Sequence, residues 1–144
     1  YQISENYLCE PVQHYGFYLT PLQNFEKGKT VFYPHGYSNY FFHPTHPHEL
    51  IIVSTENNKV SILNCLSGEI VRTISKGKEY AFCNIDPVTG NYLFRNSYYV
   101  LITNENGDEL FRMRSEDASP YLANNILTCW AGAAINVEPY LKKP

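Results

Sequence analysis

Apolar residues along this chain come in short runs, each closed within a few positions by Gly, Pro, Asn or Asp, which is the pattern of β-strands joined by turns. From Asn39, NYFFHP is aromatic and extended and ends at Pro44, which has no N–H to give to a ladder. ELIIVST then carries apolar residues on both alternating faces, so it predicts a strand buried on two sides. A turn at Glu56–Asn58 leads to KVSILN, and Ser67-Gly68 turns the chain into EIVRTI. The same order follows downstream: YAFCNIDP, a turn at Thr89-Gly90-Asn91, YLFRNS, YYVLIT, the hairpin signal Asn106-Gly107, and ELFRMR. Upstream, GFYLTP and GKTVFYP predict two more strands. Downstream, EDASP reads as a connector, NILTCW and AINVEPYL supply one or two final strands, and LTCWAGAA is open to a short helix instead.

The two sets of strands are a repeat. Pro44 and Leu50 match Pro87 and Leu93 at an offset of 43; Val60, Ile62, Asn64, Glu69 and Arg72 match Val100, Ile102, Asn104, Glu109 and Arg112 at an offset of 40. A period near 40 is the sequence mark of a β-propeller blade. The expected fold is all-β, with four-stranded antiparallel blade-like sheets forming a β-propeller fragment or partial propeller; a compact β-sandwich of two similar sheets is the alternative. One β-rich domain is expected over 1–144, with blade-like repeats at about 38–75 and 79–115 and partial units at 1–37 and 116–144. The predicted core is Leu50, Ile52, Val60, Ile62, Val71, Phe82, Leu93, Val100, Ile102 and Phe111. Propellers use roughly 4–8 blades. Two blades therefore imply either a larger propeller or a partner that covers the open sheet faces.

Residues 34–114 resemble divergent WD-repeat blades. Phe42, His43, Pro44, Pro47, Leu50, Ser54 and the Ser67-Gly68-Glu69 turn stand where that family has its strand-end His-Pro, second Pro, strand-end Ser and turn, and Pro34-His35 lies near the place of Gly-His. Leu63-Asn64 and Thr103-Asn104 replace Trp-Asp, and Asn58 or Ser97 replaces the tight-turn Asp. Without the family's buried polar network, the resemblance implies blades held mainly by apolar packing. It also implies a non-catalytic protein-interaction scaffold or a subunit of a larger assembly.

Composition narrows the partners. Hydrophobic residues make up 44% and charged ones 17%, which excludes a disordered segment, and a net charge of -3 gives no basic footprint for nucleic acid or anionic lipid. No apolar run reaches the roughly 20 residues of a membrane helix. Protein partners, or the remaining blades of a propeller, are expected, with no cofactor, and the compartment reads as intracellular and soluble. Cys9, Cys65, Cys83 and Cys129 contain no CxxC pair and read first as small buried hydrophobes. Two disulfides would instead point to a secreted, stapled β-sandwich that binds a receptor or ligand.

Candidate chemistry is sparse. His43, His46 and His48 are the one cluster with ligand-like spacing and would be the heart of a metal-dependent hydrolase; the plainer reading makes His43 a strand-end residue and the others exposed loop residues. No Gly-x-Ser-x-Gly elbow or Gly-rich phosphate loop occurs, so no catalytic residue is assigned. The Asp86-Pro87 pair reads as a turn, lone Trp130 as core, and Arg72 and Arg112 as exposed partners of Glu69 and Glu109. The expected partner surface is the rim where the central hairpin turns gather, bearing His35, Tyr37, Asn57, Lys76, Lys78 and Arg95.

Overall fold

The structure, a computed structural model, describes residues 1–23, 26–116, 119–129 and 132–143. Trp130 lies outside them. Sixteen strands follow in order: β1 (Gln2–Ile3), β2 (Tyr7–Val12), β3 (Gly16–Gln23), β4 (Glu26–Lys27), β5 (Val31–Pro34), β6 (Ser38–Phe42), β7 (Glu49–Ser54), β8 (Val60–Asn64), β9 (Glu69–Ile74), β10 (Ala81–Ile85), β11 (Tyr92–Arg95), β12 (Tyr99–Thr103), β13 (Glu109–Arg114), β14 (Tyr121–Ala123), β15 (Ile126–Thr128) and β16 (Ala134–Asn136). A 3-10 turn at Glu138–Tyr140 is the one helical element among the described residues. Leu127 and Thr128 are in β15, so that part of the open helix reading is a strand.

The repeats are two antiparallel four-stranded sheets, β6-β7-β8-β9 and β10-β11-β12-β13, each in the simple sequential order of a blade. Residues 1–37, expected as a partial unit, form a five-stranded sheet whose path β1-β2-β3-β5 has the strand count of a whole blade. β3 is long enough to pair with β5 at Gly16–Leu19 and with β4 at Leu22 and Gln23. The last sheet, β14-β15-β16, has three strands. Where one domain is expected, internal contacts divide the chain into two compact units, Tyr1–Thr73 and Ile74–Pro144, because a blade contacts chiefly its neighbours.

The predicted core is largely where expected: Leu50, Ile52, Val60, Ile62, Leu93, Val100 and Ile102 are buried. Val71 is not, being 48% exposed on the outermost strand β9, where no further strand shields it. Phe82 and Phe111 are half-buried. In the first unit, Tyr7, Cys9, Phe17 and Leu19 of the N-terminal sheet close on Tyr40, Leu50, Ile52 and Leu63 of β6–β8. Aromatic contacts dominate this seam, with Phe17 and Tyr40 at 4.7 Å between ring centres and Tyr7 and Phe42 at 6.4 Å. In the second unit Leu93, Val100 and Ile102 close on Leu122, Leu127 and Val137.

Candidate functional site

Each strand pair ends in a turn whose orphan backbone N–H groups need acceptors, and short polar side chains supply them. At the end of β6, His43 Nδ1 accepts from the N–H of Thr45 (3.1 Å) and His46 (3.0 Å). At the end of β10, Asp86 Oδ1 accepts from Val88 (2.9 Å) and Thr89 (3.3 Å). After β1, Ser4 Oγ does the same for Asn6 (3.3 Å) and Tyr7 (3.1 Å). Asn64 and Asn104, the repeat-matched pair, accept through Oδ1 from the N–H groups of Leu66 and Ser67 and of Asn106 and Asp108. These asparagines, standing where the resemblance puts Asp, close the turns into β9 and β13.

The histidine loop is a structural assembly. With its Nδ1 lone pair used by two backbone donors, neutral His43 carries its proton on Nε2, which is buried without a partner among the described residues. Neither nitrogen is open to an ion. Its ring stacks on His46 at 3.9 Å, and burial first, then the His46 charge, push its pKa down to about 4. His46 Nδ1 bonds Glu49 at 2.9 Å, Glu49 also receives Arg72 at 2.5 Å, and His48 Nδ1 meets the Tyr7 hydroxyl at 2.8 Å. The three imidazoles therefore serve three different contacts. Arg72 departs from its expected pairing with Glu69 because Glu49 offers a less exposed carboxylate on the same sheet, whereas Arg112 does bond Glu109, at 2.7 Å.

Of the expected rim residues, His35, Tyr37 and Asn57 converge. They line an open cleft of about 390 Å³ in the first unit, at the end of β7 opposite the histidine loop, with Lys59, Ile70 and Thr73. Tyr37 is held by its carbonyl, which accepts from the N–H and hydroxyl of Thr55 at 2.9 and 3.0 Å, and its ring lies 4.1 Å from that of His14. Burial lowers the pKa of His35, which keeps it neutral. The other three residues belong to the second unit: Lys76 Nζ donates to the Gly107 carbonyl at 3.0 Å, Lys78 is exposed in the segment before β10, and Arg95 is half-buried at the end of β11.

Two groups escape a sequence reading. Asp86 is fully buried and, besides its own turn, accepts from Asn124 N–H at 2.8 Å and Asn125 N–H at 2.9 Å in the turn joining β14 to β15. Burial alone would raise its pKa, but the backbone N–H groups of Asn125, Val88 and Asn124 and the Thr89 side chain outweigh it and hold the carboxyl below its ordinary range. Asn84, re-aimed by a β-bulge at Cys83, exchanges two hydrogen bonds with the Leu122 backbone at 2.9 and 3.1 Å. The match of Asp86-Pro87 to His43-Pro44 in the repeat was the available signal for the turn; nothing in the sequence marks the reach to Asn124. None of the four cysteines is in a disulfide, and burial pushes the thiols of Cys9, Cys65 and Cys83 up to about 12. Cys83 is half-buried rather than buried, because the bulge lifts it out of register.

No family model and no curated protein sequence matches the chain. Among solved structures, BamB from Moraxella catarrhalis, a β-propeller, is similar over 88% of this chain and 40% of its own, at 17% identity and a TM-score of 0.51. A protein of unknown function from Bacteroides caccae is similar at 12% identity and a TM-score of 0.46, over 99% of this chain and 62% of that one. The chain thus spans less than half the length of the BamB it matches. Blade order, strand count and this likeness agree that the fold is all-β and that of a β-propeller segment.

Proposed function

We propose that the chain is a non-catalytic part of a larger β-propeller, in which its sheets hold binding loops for a protein partner. The observation that carries this reading is the cleft where Tyr37 and Asn57 stand on the connections flanking β6 and β7, at one end of the sheets, and loops held on a rigid scaffold are where binding residues concentrate. Coverage of only 40% of the BamB chain supports further blades beyond these. Turn closure by Asn64 and Asn104 supports kinship with WD-repeat blades, since the acceptor is kept while the residue changes. Against catalysis by thiol attack stand thiols held protonated at neutral pH. Four cysteines outside any disulfide favour a compartment that keeps thiols reduced over a secreted, disulfide-stapled domain.

The test is site-specific photocrosslinking in cells of the full-length protein. A benzophenone side chain at Tyr37 is expected to yield one discrete protein adduct, and the same group at His46, beyond the far end of β7, none. Adducts from His46 and not from Tyr37 would overturn the assignment of the working surface.

A further inference from the structure

The cleft at Tyr37 has a chemical character of its own, which goes beyond the protein-partner reading. The N-terminal sheet and β6–β9 are in apolar contact around Leu50 and Leu63. Register places Ser38 opposite Ser54, and Ile52 opposite Ser61, on the same face of β6–β8. That face therefore passes from leucines where the sheets close to hydroxyls where they leave the cleft, and Thr73 of β9 adds another. Ser38, Ser61 and Thr73 side-chain hydroxyls have no hydrogen-bond partner among the described residues, and Asn57 uses only its carbonyl oxygen, on the N–H of Lys59 at 3.0 Å, leaving its amide N–H₂ to give.

Charge does not select an ion. Glu56 and Lys59 both line the cleft and offset one another, and His35 is neutral. The wall is aromatic: Tyr37 is 50% exposed, with its ring placed by His14 and its backbone fixed by Thr55, so little entropy remains to be lost when something lies on it. An aromatic wall beside several uncommitted hydroxyl and amide groups, with no net charge, fits a ligand that offers C–H faces and many hydroxyls together. The volume of about 390 Å³ lies within the roughly 300–1,000 Å³ typical of small-ligand sites. We infer that this cleft binds a neutral saccharide, with Tyr37 as the platform and Ser38, Asn57, Ser61 and Thr73 as hydroxyl partners.

Amide NMR titration of the full chain with maltotriose, cellotriose and triacetylchitotriose, and with sulfate as an ionic control, tests this. At least one trisaccharide should give saturable shifts at Tyr37, Asn57 and Ser61 with millimolar affinity, while sulfate gives none there. Tyr37→Ala should weaken that affinity tenfold or more and Thr73→Val several-fold, with shifts elsewhere in the spectrum unchanged as proof of folding. Absence of saturable shifts from all three sugars, stronger binding of sulfate, or equal affinity in Tyr37→Ala would each overturn it. A crosslinked protein partner at Tyr37 without sugar binding would leave the scaffold reading intact and sink this one alone.

Discussion

The two units solve one problem differently: how to fasten a blade-like sheet to its neighbour. In the first, the fastening is an aromatic seam of Phe17, Tyr40, Tyr7 and Phe42, with a side-chain hydrogen bond of Tyr7 to His48 beside it. In the second, an aliphatic contact of Leu93, Val100 and Ile102 with Leu122 and Leu127 is joined by a polar clip, since Asn84 on β10 and Asp86 just after it take up backbone groups of Leu122, Asn124 and Asn125. Aromatic burial is non-directional and tolerates small shifts, whereas a buried carboxylate is satisfied only when its donors are in place. The first unit gains adaptability beside its open cleft, and the second gains a fixed register between sheets.

The comparison breaks most sharply at Asp86. Asp86→Ala leaves four backbone donors without their acceptor; water can reach those at exposed Val88 and Asn124, and with roughly 1–3 kcal/mol for each of the other two the loss in chemical denaturation should be about 2–6 kcal/mol. A loss below about 1 kcal/mol would show that the clip does not fasten the sheets.

Acid should separate the units next. His43 is held neutral in the fold, so the unfolded chain takes up a proton first, and the stability it contributes falls as pH drops from its ordinary 6.5 to about 4, then levels off. Asp86 has a lowered pKa, so its contribution holds above the ordinary 3.8 and is lost only as pH falls further. Amide hydrogen exchange from pH 7 to 3 should therefore show β6–β8 losing protection before β10–β12. His43→Asp, which keeps an acceptor for the two turn N–H groups, should abolish the earlier step. Simultaneous loss in both units, or an unchanged first step in the variant, would refute the assignment.

The smallest contrast lies in the repeat-matched arginines. Arg112 and Glu109 pair at an exposed site, so Arg112→Ala should cost less than about 1 kcal/mol. Arg72→Ala should cost more, roughly 1–2 kcal/mol, because its loss also frees half-buried Glu49, the anchor of His46. Thermal denaturation of the two variants side by side gives the ranking, and a reversed order would be a failure.

Much of the fold was legible because strands announce themselves locally: Asn106-Gly107, Ser67-Gly68 and the alternating runs depend on residues a few positions apart. What stayed hidden depends on distance. Asp86-Pro87 carries the signature of a turn and nothing more, since its other donors lie 38 and 39 residues further on. Glu49 draws Arg72 across the intervening strand β8, which a spacing rule based on Glu69 does not foresee. The N-terminal sheet looked incomplete because β1 has only two residues, too few to show alternation. The cleft was half visible, in Tyr37 and Asn57 as loop residues, while Ser61 and Thr73 looked like ordinary strand positions until register put them on its wall.

The forked pairing of β3 has a consequence for how the protein behaves at high concentration. Unpaired N–H and C=O groups along a strand are a template on which another molecule can add, which is how many β-proteins aggregate. β3 outruns β5, and its protruding end would be such a template were it not flanked by Lys27 and Glu26 of β4, which pair in register with Leu22 and Gln23, and were the Pro21 carbonyl not taken by the Gly28 N–H. Two residues, both charged and exposed, thus cover the end of β3, a device of the kind that discourages edge-to-edge pairing at little cost in chain length.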